Sequence, residues 1–136
     1  AATMSARRAM SRVMLDSSAI IAFLRSEPGA DVVRASLPDA VISPVNIAEI
    51  ASWIVRGGET IEAAQIGLNN LDLDTIDFDE DLAMRTGALT AKTNRLGLSL
   101  GDRACLATAA REGVPVLTAA RVWRDLDVGV EIRLIR

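Results

Sequence analysis

The sequence of 136 residues contains no histidine, no tyrosine, a single cysteine (Cys105) and a single lysine (Lys92). Without histidine, a Ser-His-Asp or Cys-His nucleophile system has no base, and zinc sites built from Cys and His are excluded. A lone cysteine cannot form a disulfide within the chain, which is typical of proteins in a reducing cytoplasm. Any chemistry of this chain therefore depends on carboxylates, hydroxyls and arginines.

Long hydrophobic runs and excess positive charge are lacking as well. The longest stretches without a formal charge, residues 40–48 and 63–71, are nine residues each, whereas a membrane span needs about 20. We therefore expect no membrane span and a cytoplasmic location. The net charge of −3 does not provide the basic surface expected of a non-specific nucleic-acid binder. Fourteen of the 15 basic residues are arginine, whose planar guanidinium suits phosphate and carboxylate partners.

What the sequence does contain predicts one aliphatic domain. Half of the residues are hydrophobic and only 3% are aromatic. Short apolar runs alternate with longer helical patterns, which predicts an α/β fold, a three-layer α/β/α sandwich with a central, mainly parallel sheet. Residues 1–11 are expected to be an N-terminal tail or an expression remnant, and residues 12–136 a single domain. The predicted strands are 13–15, 40–43, 71–76, 114–117 and 131–135, and the predicted helices are 17–24, 30–37, 44–56, 59–69, 79–95, 99–112 and 120–125.

Three acidic residues are candidates for chemistry, and each also has a structural interpretation. Asp16 follows the first strand, where it could cap the next helix or bind a ligand. Glu49 belongs with Asn46, Ser52 and Arg56 to one narrow polar stripe, which is either a solvated face or the lining of a cleft. Asp102 forms an S-x-x-D capping box with Ser99, but it also begins the apolar stripe of its helix and so should face inward.

We expect Asp16, Glu49 and Asp102 to converge, because each lies near a junction between a loop and a helix. Carboxylates that share a crevice raise one another's pKa. A divalent cation relieves that repulsion, and hard oxygen ligands suit Mg²⁺ or Mn²⁺. Such an ion can activate water and stabilise charge on a phosphate without any histidine.

Four segments resemble a known family: MLDSSA at 14–19, PVNIAEI at 44–50, LSLGDRACLA at 98–107 and VPVLTA at 114–119. In this order and spacing they resemble PIN-domain ribonucleases, in particular the VapC-type toxins of bacterial toxin–antitoxin pairs, over about residues 13–135. The resemblance implies Mg²⁺- or Mn²⁺-dependent hydrolysis of RNA and inhibition by a VapB-type antitoxin. It implies catalytic roles for Asp16, Glu49 and Asp102, with Asp16 and Asp102 as metal ligands.

One position departs from the family pattern. The family usually reads T-A-D-R-x-W after the strand at 114–117, whereas here Ala120 stands at the fourth acidic position. We interpret Ala120 as an inactivating change. Ser17, Thr118 and Arg121 are candidate substrate contacts, although an ordinary surface role for Arg121 stays open.

Competing hypotheses follow from the same residues. A non-catalytic module could use this surface to bind an antitoxin or RNA, and Ala120 favours that alternative. A receiver or haloacid-dehalogenase domain would need a second acid beside Asp16, which Ser17 and Ser18 do not supply. The acid-rich run at 72–81 lacks the spacing of a calcium loop and is expected to be a solvated strand edge and first helical turn. The high aliphatic content favours a homodimer.

Overall fold

The structure is a computed structural model that describes residues 12–136, so the prediction of a tail at 1–11 lies outside the described residues. Strands and helices alternate along this part of the chain. The strands are β1 (Val13–Leu15), β2 (Ala40–Ile42), β3 (Asp74–Thr75), β4 (Val116–Thr118) and β5 (Ile132–Leu134). The α-helices are α1 (Ser17–Leu24), α2 (Ala30–Ser36), α3 (Pro44–Arg56), α4 (Ile61–Asn70), α5 (Glu80–Ala88), α6 (Thr90–Thr93) and α7 (Leu100–Glu112).

The five strands form one parallel sheet in the order β3-β2-β1-β4-β5. β1 is the central strand, and its Met14 pairs with Val41 of β2 on one side and Val116 of β4 on the other. Because all five strands are parallel, their carboxyl ends lie at the same edge of the sheet. Each connection between neighbouring strands therefore returns over a face of the sheet to the opposite edge. The prediction of an α/β fold with a parallel central sheet is therefore confirmed.

Helices cover both faces of the sheet, which gives the three layers. Because side chains alternate along a strand, Val13 and Leu15 contribute to the core that contains residues of α1, α2 and α3. Met14, between them, contributes to the opposite core with Cys105 of α7. Cys105 is fully buried, as its place on an apolar helix face predicts.

Several predicted boundaries are wrong, and local chemistry explains some of them. The strand predicted at 71–76 is only the two-residue edge strand β3, which pairs with β2 alone. The helix predicted at 79–95 is divided into α5, α6 and a 3₁₀ turn. The Thr93 hydroxyl and the Thr93 N–H both donate to the Leu89 carbonyl near the break, and such a side-chain bond back along the helix tends to bend it. β4 begins after Pro115, which has no N–H to donate.

The last predicted helix, at 120–125, is a 3₁₀ turn from Arg121 to Trp123. The acidic run at 72–81 has the expected form, since Asp79 is the N-cap of α5 and Glu80 and Asp81 lie in its first turn. Within residues 12–136, no helix is both long enough and apolar enough to cross a membrane.

Asp79 joins two helices and should make the fold sensitive to acid. Its carboxylate accepts hydrogen bonds from the Leu82 N–H at 2.9 Å and from Arg111 at 2.9 and 3.0 Å. The Leu82 N–H and the Arg111 guanidinium hold the pKa of Asp79 below its usual value of 3.8. This group therefore contributes stability above that value, and the contribution is lost as the pH falls through the lower folded-state pKa.

We expect Asp79→Asn to retain the helix cap but lose the ion pair, because an amide oxygen still accepts the Leu82 N–H. Urea unfolding at pH 7 and pH 3 should then show a smaller loss of stability on acidification than in the unchanged protein. Asp125→Asn is the matched control, because Asp125 is exposed and has no ion-pair partner among the described residues. An unaltered acid response in Asp79→Asn would contradict the linkage.

Candidate active site

The carboxyl edge of the sheet carries a cleft of about 400 Å³ that brings the three candidate acids together. Asp16 directly follows β1, Glu49 lies in the second turn of α3, and Asp102 lies in the first turn of α7. All three line this cleft, together with Ser17 and Ala120. The edge beyond the carboxyl ends of parallel strands is where ligands bind in open α/β sheets.

Asp16 is the most buried acid of the cleft, with 2% of its surface exposed. Its Oδ2 accepts hydrogen bonds from the Ser18 hydroxyl at 2.6 Å and the Thr118 hydroxyl at 3.0 Å. Its Oδ1 is buried and has no hydrogen-bond partner in the described structure. Asp16 occupies the N-cap position of α1 but makes no side-chain capping bond, so capping does not account for its carboxylate. Ser18 is a residue that the sequence reasoning missed.

The electrostatics of the cleft favour an added positive charge. Burial raises the pKa of Asp16 to about 6, and the nearby Asp102 charge adds to this rise, against the opposing hydrogen bond from Ser18. Burial likewise raises the pKa of Asp102, with Glu49 adding to the rise and the hydrogen bonds of Ser99 opposing it. The protein thus leaves part of the negative charge uncompensated, which is the situation that a bound cation relieves.

Glu49 is held by donors from three helices or their caps. Its Oε1 accepts hydrogen bonds from the Ser17 hydroxyl at 2.7 Å and the Asn46 side-chain amide at 3.2 Å, and its Oε2 accepts one from the Ser99 hydroxyl at 3.3 Å. Asn46 is fully buried and also donates to Ser17 and to the Gly101 carbonyl. The polar stripe of α3 therefore lines the cleft at Glu49 and Arg56, whereas Asn46 is buried behind Glu49 and Ser52 is exposed outside the cleft.

Asp102 fulfils both of its sequence interpretations. The Ser99 N–H donates to Asp102 Oδ2 at 2.9 Å, and the Asp102 N–H donates to the Ser99 hydroxyl at 3.1 Å, which completes the capping box. The same carboxyl group lines the cleft. Capping and a ligand role are compatible here, because the box uses one carboxylate oxygen and leaves the other for the cleft.

Gly101 makes room for Glu49, which the sequence reasoning also missed. A Cβ atom at Gly101 would overlap the Glu49 carboxylate.

We expect Gly101→Ala to displace Glu49 from Ser17 and Asn46, lowering the unfolding free energy by about 1–3 kcal/mol because buried donors lose their acceptor. Thermal unfolding measures this change. Gly87→Ala is the matched control, because Gly87 lies in a helix as Gly101 does but has open space where a Cβ would be. This substitution should stabilise the protein by about 0.5–1 kcal/mol. Equal stabilisation by both substitutions would contradict this packing.

The candidate substrate contacts have three different environments. Ser17 lines the cleft and donates to Glu49. Thr118 is fully buried, and its hydroxyl accepts the Ala120 N–H at 3.0 Å while donating to Asp16, so it holds Asp16 from below the cleft. Arg121 is exposed, donates to the Arg136 carbonyl at 3.3 Å, and is not among the residues that line the cleft.

The residues fit a hard cation, but not as a three-carboxylate cage. Within the described part of the chain, no three His, Cys, Asp or Glu side chains are grouped around one possible ion position. The expected convergence of three acids on one point is corrected accordingly: they share a cleft, and Glu49 is occupied by Ser17, Asn46 and Ser99. The buried, unpartnered Oδ1 of Asp16 and the carboxylate of Asp102 remain, and such oxygen donors suit Mg²⁺ or Mn²⁺.

Comparisons with known proteins place this arrangement in a family. The family model described as the PIN domain matches residues 13–128, so the chain belongs to the PIN domain family. None of the curated protein sequences matches the chain.

Solved structures share the fold at low sequence identity. A chain of DNA-bound VapBC from Salmonella typhimurium matches with a TM-score of 0.70 and 19% identity, covering 92% of this chain and 98% of that one. A toxin–antitoxin complex from Klebsiella pneumoniae gives a TM-score of 0.71 and 19% identity, with 91% and 98% coverage. VapBC-5 from Mycobacterium tuberculosis gives 0.59 and 23%, with 93% and 98% coverage.

Proposed function

We propose that this PIN domain is a metal-dependent endoribonuclease and the toxin of a type II toxin–antitoxin pair, resembling VapC. The observation that carries the proposal is the cleft shared by Asp16, Glu49 and Asp102, in which Asp16 Oδ1 is buried without a partner. A buried carboxylate in this state is costly unless a cation binds it. The similarity to chains of VapBC complexes supports the biological setting.

Asp16 and Asp102 are the proposed ligands of Mg²⁺ or Mn²⁺. When bound, such an ion lowers the pKa of water and stabilises charge on a phosphodiester. Ser18 and Thr118 orient Asp16 through its Oδ2, which leaves Oδ1 for the ion. Ser17 and Asn46 fix Glu49 Oε1, so that Oε2, with its single longer bond from Ser99, can accept a proton or a hydrogen bond from water.

Incubation of the purified chain with a mixture of cellular RNAs tests this function. We expect fragments to appear with Mn²⁺ or Mg²⁺, and none with EDTA. Asp16→Ala and Asp102→Ala should abolish this metal-dependent cleavage. Asp125→Ala should retain it, because Asp125 is an exposed acid outside the cleft. Cleavage that survives EDTA or Asp16→Ala would contradict the proposal.

The proposed partners are a VapB-type antitoxin, an RNA substrate and a second copy of this chain. Matched structures are described as VapBC or toxin–antitoxin complexes. Exposed apolar side chains on α3 and α4, namely Val55, Ile61 and Ile66, provide surface that a homodimer could bury. A monomeric mass by light scattering at micromolar concentration would contradict the homodimer.

A non-catalytic binding module is the second candidate, and Ala120 favours it. Ala120 lines the cleft at the position where the resemblance expects a fourth acid. Thermal unfolding with and without millimolar Mn²⁺ separates the candidates, because an ion that binds only the native state raises the melting temperature. A melting temperature that does not respond to Mn²⁺ would support the module and contradict the nuclease.

A further inference from the structure

We propose that Trp53 and Arg56 form a binding subsite for single-stranded RNA beside the three acids, with Trp53 stacking on a base and Arg56 binding a phosphate. The proposal rests on the proposed nuclease function and extends it to substrate recognition. Both side chains line the same cleft as Asp16, Glu49 and Asp102. Neither takes part in the hydrogen bonds that hold the acids in place.

The helix spacing sets the two side chains in line with Glu49. Trp53 and Arg56 follow Glu49 by four and seven residues on α3, so all three share one face of the helix. At 1.5 Å per residue, they lie about 6 Å and about 10 Å further along the helix axis. Along this face the cleft lining thus runs from the acid Glu49 to the aromatic ring of Trp53 and then to the cation of Arg56.

The local chemistry at these two positions fits an unpaired nucleotide strand. Arg56 is exposed and is the single basic residue lining the cleft, and its guanidinium makes no hydrogen bond or ion pair with the described residues. Trp53 is half-buried, so one part of the indole is anchored and another faces the cleft. Bases of single-stranded RNA stack on aromatic rings, and guanidinium groups bind phosphate with two parallel hydrogen bonds.

A second groove extends the path beyond the cleft. This groove, of about 570 Å³, is also lined by Trp53 and Arg56, together with Leu24, Ile54, Gly57 and Glu59. Because both grooves share the same two side chains, an RNA strand that leaves the acids along them would pass Trp53 and Arg56. RNA is favoured over a protein segment here because Arg56 lines the same cleft as the acids and its guanidinium has no anionic partner among the described residues, which leaves it available to a phosphate.

Direct binding of a short unstructured RNA tests the subsite. The probe is a fluorescein-labelled oligouridylate of about ten nucleotides, in Ca²⁺ to neutralise the acids, with intact RNA verified afterwards on a denaturing gel. Base stacking is worth about 1–3 kcal/mol, so we expect Trp53→Ala to weaken binding by roughly tenfold or more. Trp53→Phe, which keeps a ring, should recover most of the affinity.

Arg56 has a separate readout in the salt dependence. Arg56→Gln should lower the slope of log K against log salt by about 0.7, the value for one phosphate contact on a single strand, while Arg56→Lys should keep the slope. Arg34→Gln is the matched control, because Arg34 is exposed on α2 and lies outside the cleft. Melting temperatures of all variants show that the fold is retained.

Intrinsic fluorescence provides an independent measurement, because the chain has two tryptophans. Trp123 is 1% exposed, so acrylamide should quench mainly Trp53, and bound RNA should protect it.

Unchanged affinity in Trp53→Ala, or an unchanged salt slope in Arg56→Gln, would overturn the subsite even if metal-dependent cleavage is observed. A change of oligomeric mass in these variants with unaltered RNA binding would also overturn it, in favour of a protein interface. Absence of cleavage with intact RNA binding would instead overturn the nuclease proposal alone.

Discussion

Restoring an acid at position 120 is expected to raise metal-dependent RNA cleavage by about 10²–10³-fold. Ala120 lines the cleft that contains Asp16 and Asp102, so the Ala120→Asp carboxylate would add a third oxygen ligand to the two that are free for an ion. The magnitude is that of a single charge-stabilising group in an active site. Initial rates with Mn²⁺, measured for the unchanged chain and A120D at equal RNA concentration, give the ratio.

Two companion variants separate charge from shape at this position. Ala120→Asn adds a side chain of nearly the same size without the charge and should give little increase. Asp16→Ala combined with A120D should remove the gain, because the added acid would share the ion with Asp16. Equal cleavage by the unchanged chain and A120D would show that the fourth-acid assignment is wrong.

Asp16→Asn is expected to stabilise the metal-free protein and to abolish its response to Mn²⁺. Burial raises the pKa of Asp16 from 3.8 to about 6, and ionising such a group in the folded state costs about 3 kcal/mol at neutral pH. The amide removes this cost but leaves a buried N–H without a partner, which costs about 1–3 kcal/mol, so the net gain should be about 1 kcal/mol. For a domain of this size, that raises the melting temperature by roughly 3 °C.

The pH dependence gives the sign of this effect. The folded-state pKa of Asp16 is raised, so the folded state binds the proton more tightly than the unfolded state does. The metal-free protein should therefore gain stability from Asp16 as the pH falls from about 6 towards 4, and Asp16→Asn should lack this gain. Asp31→Asn, an exposed acid in the first turn of α2, is the control. Stabilisation of Asp16→Asn by Mn²⁺ would contradict the ligand assignment.

The sequence predicts the order of the elements well because the apolar periodicity is strong. The predicted bounds of α1 and α3 agree with the structure, and Gly57 and Gly113 end their helices as expected. The predicted strand at 71–76 is longer than β3, because an alternating pattern at an exposed edge has few pairing partners. Such a pattern does not reveal how many residues find a neighbouring strand, since pairing is a tertiary property.

The candidate site shows the same division between local and tertiary information. The positions of Asp16, Glu49 and Asp102 at the ends of elements predict that they share a cleft. The hydrogen bonds of Asn46 and the space left by Gly101 join residues 55 and 52 positions apart, and no local pattern reveals them. The sequence therefore predicts which elements meet but not which carboxylate oxygens stay free, and the catalytic roles stay a prediction.

The position of β1 in the middle of the sheet has a consequence for protein synthesis. Asp16 reaches its buried state only when Thr118, 102 residues later, pairs through β4 with β1. A nascent chain on the ribosome thus cannot assemble this cleft until residue 118 has emerged. At translation speeds of about 5–20 residues per second, several seconds pass between the appearance of the first acid and that of its last support. Until then, Asp16 lacks the neighbouring strand and the Thr118 hydroxyl that hold it in the cleft.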